Sequence, residues 1–147
     1  MVIKKKKIKK IESKSIVTSG KRKRANAKAT IREGTGVIRI NMQPIRLLSK
    51  MHQLIIQEPL QITEKIIPEL THKIDIEIKV NGGGREAQLE AARLAIGRAL
   101  VAYTKNMQLK DALISYDRHL FTADIRRKET RKPGDSKARA KRQKSYR

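Results

Sequence analysis

The chain contains no cysteine and no tryptophan, and aromatic residues make up only 3% of it. Without cysteine it can form no disulfide, no thiolate zinc site, no iron–sulfur cluster and no thiol nucleophile. With so few aromatic rings, base stacking is a poor way for it to hold single-stranded nucleic acid. Thiol and redox chemistry are therefore excluded, and any contact with nucleic acid has to rely mainly on phosphate groups.

Long uncharged apolar runs are also missing. No stretch approaches the roughly 18 to 20 apolar residues that a membrane span requires. The lysine-rich start, MVIKKKKIKK, is not followed by the apolar segment of a signal peptide. We therefore expect a soluble protein that is not exported.

Basic side chains dominate the composition. Lys and Arg number 36 against 14 Asp and Glu, for a formal net charge of +22. Most of the excess lies at the ends, since residues 1–28 carry a net +11, residues 29–125 a net +2 and residues 126–147 a net +9. Because such a chain repels itself until an anion neutralises it, the composition predicts a polyanionic partner. Lysine runs also occur in nuclear localisation signals, heparin-binding patches and solubilising tails, and composition alone leaves these alternatives open.

A near-neutral middle between two cationic ends predicts a folded core with solvated arms, because blocks of like charge cannot bury themselves. A chain of 147 residues suits a single hydrophobic core of the usual size. We predict a basic leader at 1–18, a globular α+β domain at 19–125 and an extended basic tail at 126–147.

Two regions carry strand patterns. In KIDIEIKV, residues 73–80, isoleucine and valine alternate strictly with charged residues, as a strand with one buried face requires. Residues 27–40 alternate on either side of the turn residues Gly34, Thr35 and Gly36, which predicts a β-hairpin.

Helical spacing follows the predicted hairpin. The apolar residues after Pro44 predict a helix that ends before Pro59. The stretch from Leu60 to Leu70 is apolar but interrupted by Pro68. A short helix and an irregular connection both fit that stretch.

A longer helix is predicted from the end of the glycine run to about Asn106. A further short helix is indicated around residues 109–114, and Leu120 and Phe121 can still pack on the core. Small residues in the long helix would let it lie close on a sheet. They are Ala91, Ala92, Ala95, Gly97 and Ala99.

The glycine run at 82–84 immediately precedes this helix. Free backbone N–H groups and the positive end of the helix dipole at residues 82–87 suit a phosphate. The run lacks the Lys-Ser/Thr pair of a P-loop and the spaced glycines of a dinucleotide fingerprint, which argues against nucleotide hydrolysis. An RNA backbone contact and a plain tight turn explain the glycines equally well.

No constellation for catalysis stands out. His52, His72 and His119 are far apart and lack the i, i+4 spacing of a helical metal pair. We interpret each as a surface or core residue, and the carboxylates as members of solvated faces. We therefore predict a protein that is not an enzyme and that uses no cofactor and no metal.

Four segments carry a family resemblance. They are SGKRKRANAKATIREGTGVIRIN, NGGGREAQLEAARLAIGRAL, SYDRHLFTADIRRKE and KARAKRQKSYR. Together they span most of residues 19–147. This set resembles the family of the ninth protein of the small ribosomal subunit, in its archaeal and eukaryotic form.

The resemblance implies a fold and a role. The fold is a four-stranded β-sheet with helices packed on one face and a left-handed βαβ crossover. The role is that of a structural constituent of the head of the small ribosomal subunit, cytoplasmic and within the ribosome. Its implied partners are small-subunit ribosomal RNA, other head proteins and the tRNA in the peptidyl site, which the C-terminal tail reaches.

The resemblance also implies site residues. The anchors to ribosomal RNA are Lys21, Arg22, Lys23, Arg24, Gly83, Gly84, Arg126, Arg127, Lys128 and Arg139. The residues implied to contact tRNA are Lys141, Arg142, Lys144, Ser145, Tyr146 and above all Arg147, whose guanidinium can bind phosphate in a forked arrangement. The lysine-rich leader and the linker RKPGDSKARA depart from the family's pattern, so the resemblance does not predict the paths of those two stretches.

Two other classes of protein share part of these features. A histone-like or other architectural nucleic-acid protein shares the charge, but it would bind any duplex rather than a folded ribosomal RNA site. A small-molecule kinase shares the broad fold and a glycine loop. The absence of a metal-binding acid near that loop argues against the kinase.

Overall fold

The computed structural model describes residues 15–134 and 137–140. Residues 1–14 of the predicted leader lie outside the described residues, and so do all the residues predicted to contact tRNA. The first strand begins at Ile16, within the stretch predicted as leader.

Strands and helices form an α+β domain. The strands are β1 (Ile16–Arg22), β2 (Ala25–Glu33), β3 (Ile38–Ile40), β4 (Gln43–Pro44) and β5 (Ile74–Asn81). The helices are α1 (Lys50–Ile66), α2 (Arg85–Thr104) and α3 (Met107–Tyr116). The α+β prediction is confirmed, with one short strand more than the predicted four.

The sheet runs in the order β1-β2-β5-β3-β4. Neighbouring strands are antiparallel except β3 and β5, which are parallel and are joined by a connection that contains α1. This βαβ unit is the predicted crossover, and its hand stays a prediction.

The predicted hairpin between β2 and β3 is wrong. Strand β5 lies between them, and β2 instead forms its hairpin with β1. Asp75, in β5, accepts hydrogen bonds from the backbone N–H groups of Thr35 at 2.8 Å and Val37 at 2.9 Å. These hydrogen bonds hold the turn at residues 34–36 against the end of β5. The turn therefore connects β2 and β3, which do not pair with each other.

The predicted strand at 73–80 is confirmed as β5. Its isoleucines are at most 1% exposed, and Ile31 of β2 is completely buried. On both strands every second residue faces the helices, while the alternate residues are more accessible. One face of the sheet therefore forms the core and the other is open.

Helix α1 does not end before Pro59. It continues to Ile66, and a short 3-10 turn at Leu70–His72 follows, which settles the region left open. A proline inside a helix costs about 3 kcal/mol because it lacks a backbone donor. Pro59 and Ile56 are buried in the core, and the burial of this apolar face offsets the missing hydrogen bond.

Helix α2 lies close on β1, as its small residues predicted. A Cβ atom at Gly20 would collide with the carbonyl oxygen of Ala91 and would stand 2.7 Å from the backbone nitrogen of Ala95. The hydroxyl of Thr18 donates to the carbonyl oxygen of Ala95 at 2.9 Å. Glycine and alanine are therefore needed here because the two backbones nearly touch.

The predicted short helix is confirmed as α3, and Leu109, Leu113 and Leu120 are completely buried. Arg98 of α2 donates to the carbonyl oxygen of Phe121 at 2.9 Å. Beyond Ala123 the described residues form no helix or strand. The basic tail therefore leaves the domain just after Leu120 has completed the core.

Candidate nucleic-acid interface

Distant parts of the chain meet in one groove at an end of the sheet. The hairpin turn between β1 and β2, the glycine run and the start of the tail surround a volume of about 660 Å³. The lining residues are Lys21, Lys23, Arg24, Asn26, Gly83, Gly84, Ala87, Arg127 and Lys128. Seven of these were predicted to contact RNA, and the described lining contains five cations and no carboxylate.

The hairpin turn supplies two of the cations. Arg22 pairs with Ala25 across the hairpin, so Lys23 and Arg24 form a two-residue turn. Lys23 has φ +52°, a left-handed backbone conformation that residues other than glycine rarely adopt. The tight turn fixes both basic residues at the rim of the groove, where both are exposed.

The glycine run packs against this turn. Gly82 and Gly83 have φ values of +74° and +69°. A Cβ atom at Gly82 would lie 2.7 Å from the carbonyl oxygen of Arg24, and one at Gly83 would lie 2.9 Å from the backbone nitrogen of Ala25. The tight-turn interpretation therefore accounts for both glycines.

Gly84 differs from the two glycines before it. A Cβ atom built there would meet nothing within 4 Å, so Gly84 borders open space in the groove. It precedes α2, and no side-chain hydrogen bond caps the helix at this residue. The backbone N–H groups of the first turn and the positive end of the helix dipole are therefore available to an anion.

A network of ion pairs lies beside the groove and holds the root of the tail. Arg22 pairs with Glu90 of α2, and its Nη1 atom lies 2.5 Å from the carboxylate of Asp124. Arg126 donates from its Nη2 atom to the same carboxylate at 2.7 Å. These hydrogen bonds from Arg126 hold the pKa of the Asp124 carboxyl well below its ordinary value, and the nearby Arg22 charge lowers it further.

Two of the predicted RNA anchors, Arg22 and Arg126, belong to this network of ion pairs. Arg22 and Arg126 direct guanidinium groups at Asp124, whose side chain is only 7% exposed. Arg127 and Lys128 follow immediately and line the groove. Arg22 and Arg126 are therefore positioned to fix the tail root, while the next two residues face the groove.

A third arginine forms a neighbouring set of ion pairs. Arg93 of α2 lies 2.5 Å from the Glu58 carboxylate of α1 and 2.9 Å from that of Asp117. Sequence reasoning missed this set and also Asn26 in the groove. The charged partners are far apart along the chain, so no local spacing could have found them, whereas the alternation of β2 could have placed Asn26 on the open face.

Arg139 stands apart from the groove. Its guanidinium pairs with Glu129 at 2.5 Å, and its described neighbours are tail residues. Lys128, another predicted anchor, lines the same tail pocket as Arg139, but Arg139 is not among the residues that line the groove.

The histidines do not converge on one another. His52 lies 3.0 Å from a carboxylate oxygen of Glu86, and His72 lies 3.6 Å from Glu64. In the described part of the chain, no three His, Cys, Asp or Glu side chains gather in a way that could hold a metal ion. No helix among the described residues is long and apolar enough to cross a membrane.

Comparison with known proteins agrees with the resemblance noted in the sequence. Residues 20–147 match the family model described as ribosomal protein S9/S16. The chain is 44% identical over 137 residues to "Small ribosomal subunit protein uS9" of Methanococcus maripaludis strain C5, and this covers 91% of the chain and 99% of that relative. The protein belongs to the ribosomal protein S9/S16 family.

Proposed function

We propose that this protein is a structural constituent of the small ribosomal subunit that binds ribosomal RNA through the groove and contacts peptidyl-site tRNA with its C-terminal tail. Family membership supports the place in the subunit. The groove supports the mode of RNA binding. The role is binding without turnover, and its partners are ribosomal RNA, tRNA and neighbouring proteins of the subunit head.

The single observation that carries RNA binding is the set of five cations in one groove, none of which forms an ion pair with another described residue. In the neighbouring network, by contrast, arginines pair with Glu90, Asp117 and Asp124. Uncompensated cations gain most from a phosphate backbone, because binding releases the counterions held by the RNA. The groove is therefore the part of the described surface best suited to RNA.

Backbone geometry adds to the charge. The tight turn at Lys23 and the contact of the glycine run with the hairpin hold the cationic rim on rigid elements. Uncapped N–H groups at the start of α2 can bind a phosphate oxygen beside those cations. Contacts of this kind position RNA and do not read its sequence.

The proposed tRNA contact rests on the position of the tail root and on the charge and length of the tail. Asp124 fixes the root of the tail beside the groove, and residues 126–147 carry a net charge of +9. A segment of that length can reach roughly 70 Å if it is extended at about 3.3 Å per residue. Lys141, Arg142 and Arg147 then supply forked or single contacts to tRNA phosphates.

Binding of protein-free small-subunit ribosomal RNA to the full-length chain tests the groove. The double variant Lys23→Gln/Arg24→Gln should weaken binding and lower the slope of log affinity against log salt by about 1.4 to 1.8, for two lost phosphate contacts. The matched control is Lys50→Gln/Lys65→Gln, which removes two exposed charges from α1. Equal binding by the two double variants would refute the groove, and equal affinity for any duplex RNA would indicate a general architectural protein.

A further inference from the structure

The open face of the sheet carries a second group of basic and polar side chains. The strand register places Ser19, Lys28 and Lys79 side by side in one row across β1, β2 and β5. The next row consists of Lys21, Asn26 and Asn81. All six side chains are exposed and face away from the helices. We call these six residues the open-face grid.

Two lysines of the open-face grid oppose each other directly. Lys28 of β2 is the cross-strand partner of Lys79 of β5. Like charges directly opposite each other on neighbouring strands destabilise a sheet, because their Cβ atoms are only about 4.5–5.5 Å apart. Among the described residues, no ion pair engages either lysine. The free protein therefore carries a repulsion that an anionic ligand would relieve.

The carboxylates on the same face are committed elsewhere. Glu77 lies 3.6 Å from Arg32. Asp75 accepts the N–H groups of Thr35 and Val37, and these hydrogen bonds, with Val37 first, hold its pKa below the ordinary value. With Arg39, the strand partner of Glu77 on β3, the far half of the face carries two cations and two carboxylates. It is therefore balanced in charge, and the excess of positive charge is confined to the open-face grid.

The open-face grid adjoins the groove. Lys21 and Asn26 belong to the open-face grid by strand register, and both also line the groove. The groove and the open-face grid therefore form one continuous basic surface, and the described lining of the groove contains no carboxylate. A polyanion bound in the groove can extend onto the sheet.

We propose that the open-face grid is a second RNA-binding surface, which takes the phosphate backbone of the RNA strand that leaves the groove. This inference rests on the proposed RNA binding in the groove. Lys28 on β2 and Lys79 on β5 bind phosphate groups of the RNA. Asn26, Asn81 and Ser19 donate further hydrogen bonds to phosphate or ribose oxygens. The contacts are independent of base sequence, because the open-face grid has no aromatic side chain on which a base could stack.

An RNA ligand fits this surface better than a protein does. Protein interfaces have cores enriched in aromatic and apolar side chains and depleted in lysine. The open-face grid contains three lysines and no apolar side chain, and the nearest exposed apolar residue on β1, Val17, lies outside it. An acidic segment of a neighbouring subunit protein is the alternative occupant.

The test measures the binding of the full-length chain to protein-free small-subunit ribosomal RNA over a salt series. It compares the open-face variant Lys28→Gln/Lys79→Gln, the groove variant Lys23→Gln/Arg24→Gln and a control. Lys28→Gln/Lys79→Gln should lower the slope of log affinity against log salt by about 1.4 to 1.8. The control Lys50→Gln/Lys65→Gln removes the same charge from α1 and should leave the slope unchanged. Without RNA, the first variant should unfold at a temperature a few degrees higher than the wild type, because the opposed charges are gone.

The outcomes separate the two proposals. If Lys28→Gln/Lys79→Gln binds like the control while Lys23→Gln/Arg24→Gln binds weakly, the open-face proposal is overturned and the groove stands. If neither variant differs from the control, both proposals fail. If Lys28→Gln/Lys79→Gln binds RNA normally but enters reconstituted subunits poorly, the surface binds an acidic protein, which also overturns the proposal.

Discussion

The guanidinium of Arg22, the last residue of β1, lies 2.5 Å from the carboxylate of Asp124, at the root of the basic tail. The same carboxylate accepts the backbone N–H of Arg126 at 2.8 Å. One nearly covered acidic residue thus joins the first strand to the root of the tail. Because removing one partner of such a pair leaves the other charge uncompensated, the path of the tail depends on Asp124.

Asp124→Asn should loosen the tail root. The substitution keeps the shape of the side chain but removes the charge that Arg22 and Arg126 share. We expect the thermal unfolding midpoint to fall by a few degrees and trypsin to cleave faster after Arg126 and Arg127. The control is Asp111→Asn, which changes an exposed carboxylate on α3. Equal cleavage rates in the two variants would contradict a clamp at Asp124.

Asp75 should make stability depend on acid pH. Its pKa is lowered mainly by the N–H of Val37 and also by that of Thr35, from an ordinary value of 3.8. The carboxylate therefore stabilises the fold fully above about pH 4, and this stabilisation is lost as the pH falls through the lower folded-state pKa. In denaturant titrations between pH 5 and 2, Asp75→Asn should lose less stability than the wild type. A parallel loss in both proteins would show that Asp75 is not the titrating group.

Lys23→Gly should separate stability from RNA binding. Glycine adopts the left-handed conformation of residue 23 without strain, which gains about 1–2 kcal/mol, less about 0.4–1 kcal/mol for the freer unfolded chain. The variant should therefore be slightly more stable in denaturant yet bind ribosomal RNA more weakly, because one groove cation is lost. Lys23→Gln should weaken binding equally and gain no stability. Unchanged binding in both variants would remove Lys23 from the interface.

Gly20→Ala should destabilise the fold. The new methyl group would collide with the carbonyl oxygen of Ala91 and separate α2 from β1. Overpacking of this kind costs about 1–3 kcal/mol or more. Gly84→Ala is the matched control, because its methyl group would enter open space and its cost is limited to the weaker helix N-cap, about 0.5–1 kcal/mol. Similar unfolding midpoints for the two variants would mean that α2 can move away from the sheet.

A chain ending at Ser136 should test the tail. Small subunits reconstituted with it should assemble but bind tRNA more weakly in the peptidyl site, because Lys141, Arg142 and Arg147 are missing. The deficit should shrink as salt is raised, since lost phosphate contacts matter most at low ionic strength. If tRNA affinity is unchanged in fully assembled subunits, the tail serves ribosomal RNA or assembly and the tRNA proposal fails.

Local patterns predicted those elements whose formation depends on near neighbours. Strand β5 follows from strict alternation, and α2 follows from a periodic apolar stripe that begins after the glycine run. The small residues of α2 also predicted its close approach to the sheet. These predictions succeeded because burial of one face imposes a fixed period on the residues of a strand or helix.

Patterns that depend on distant residues were misread. The turn at 34–36 has the composition of a hairpin, but β5, some 40 residues later in the chain, inserts between the two strands. Pro59 has the form of a helix stop, but it is retained because its face is buried in the core. In both cases packing against a remote segment outweighed the local preference.

The sequence by itself determined that the protein is a basic α+β domain with cationic ends, and it predicted an anionic partner, because charge and periodicity are properties of the chain. Only the tertiary structure decided which cations act together. It joins Lys23 and Arg24 with Arg127 and Lys128 in one groove, pairs Arg22 and Arg126 with a carboxylate, and opposes Lys28 to Lys79. Strand register and the close contact of the glycine run with the hairpin set these neighbours, and neither can be derived from the spacing of residues along the chain.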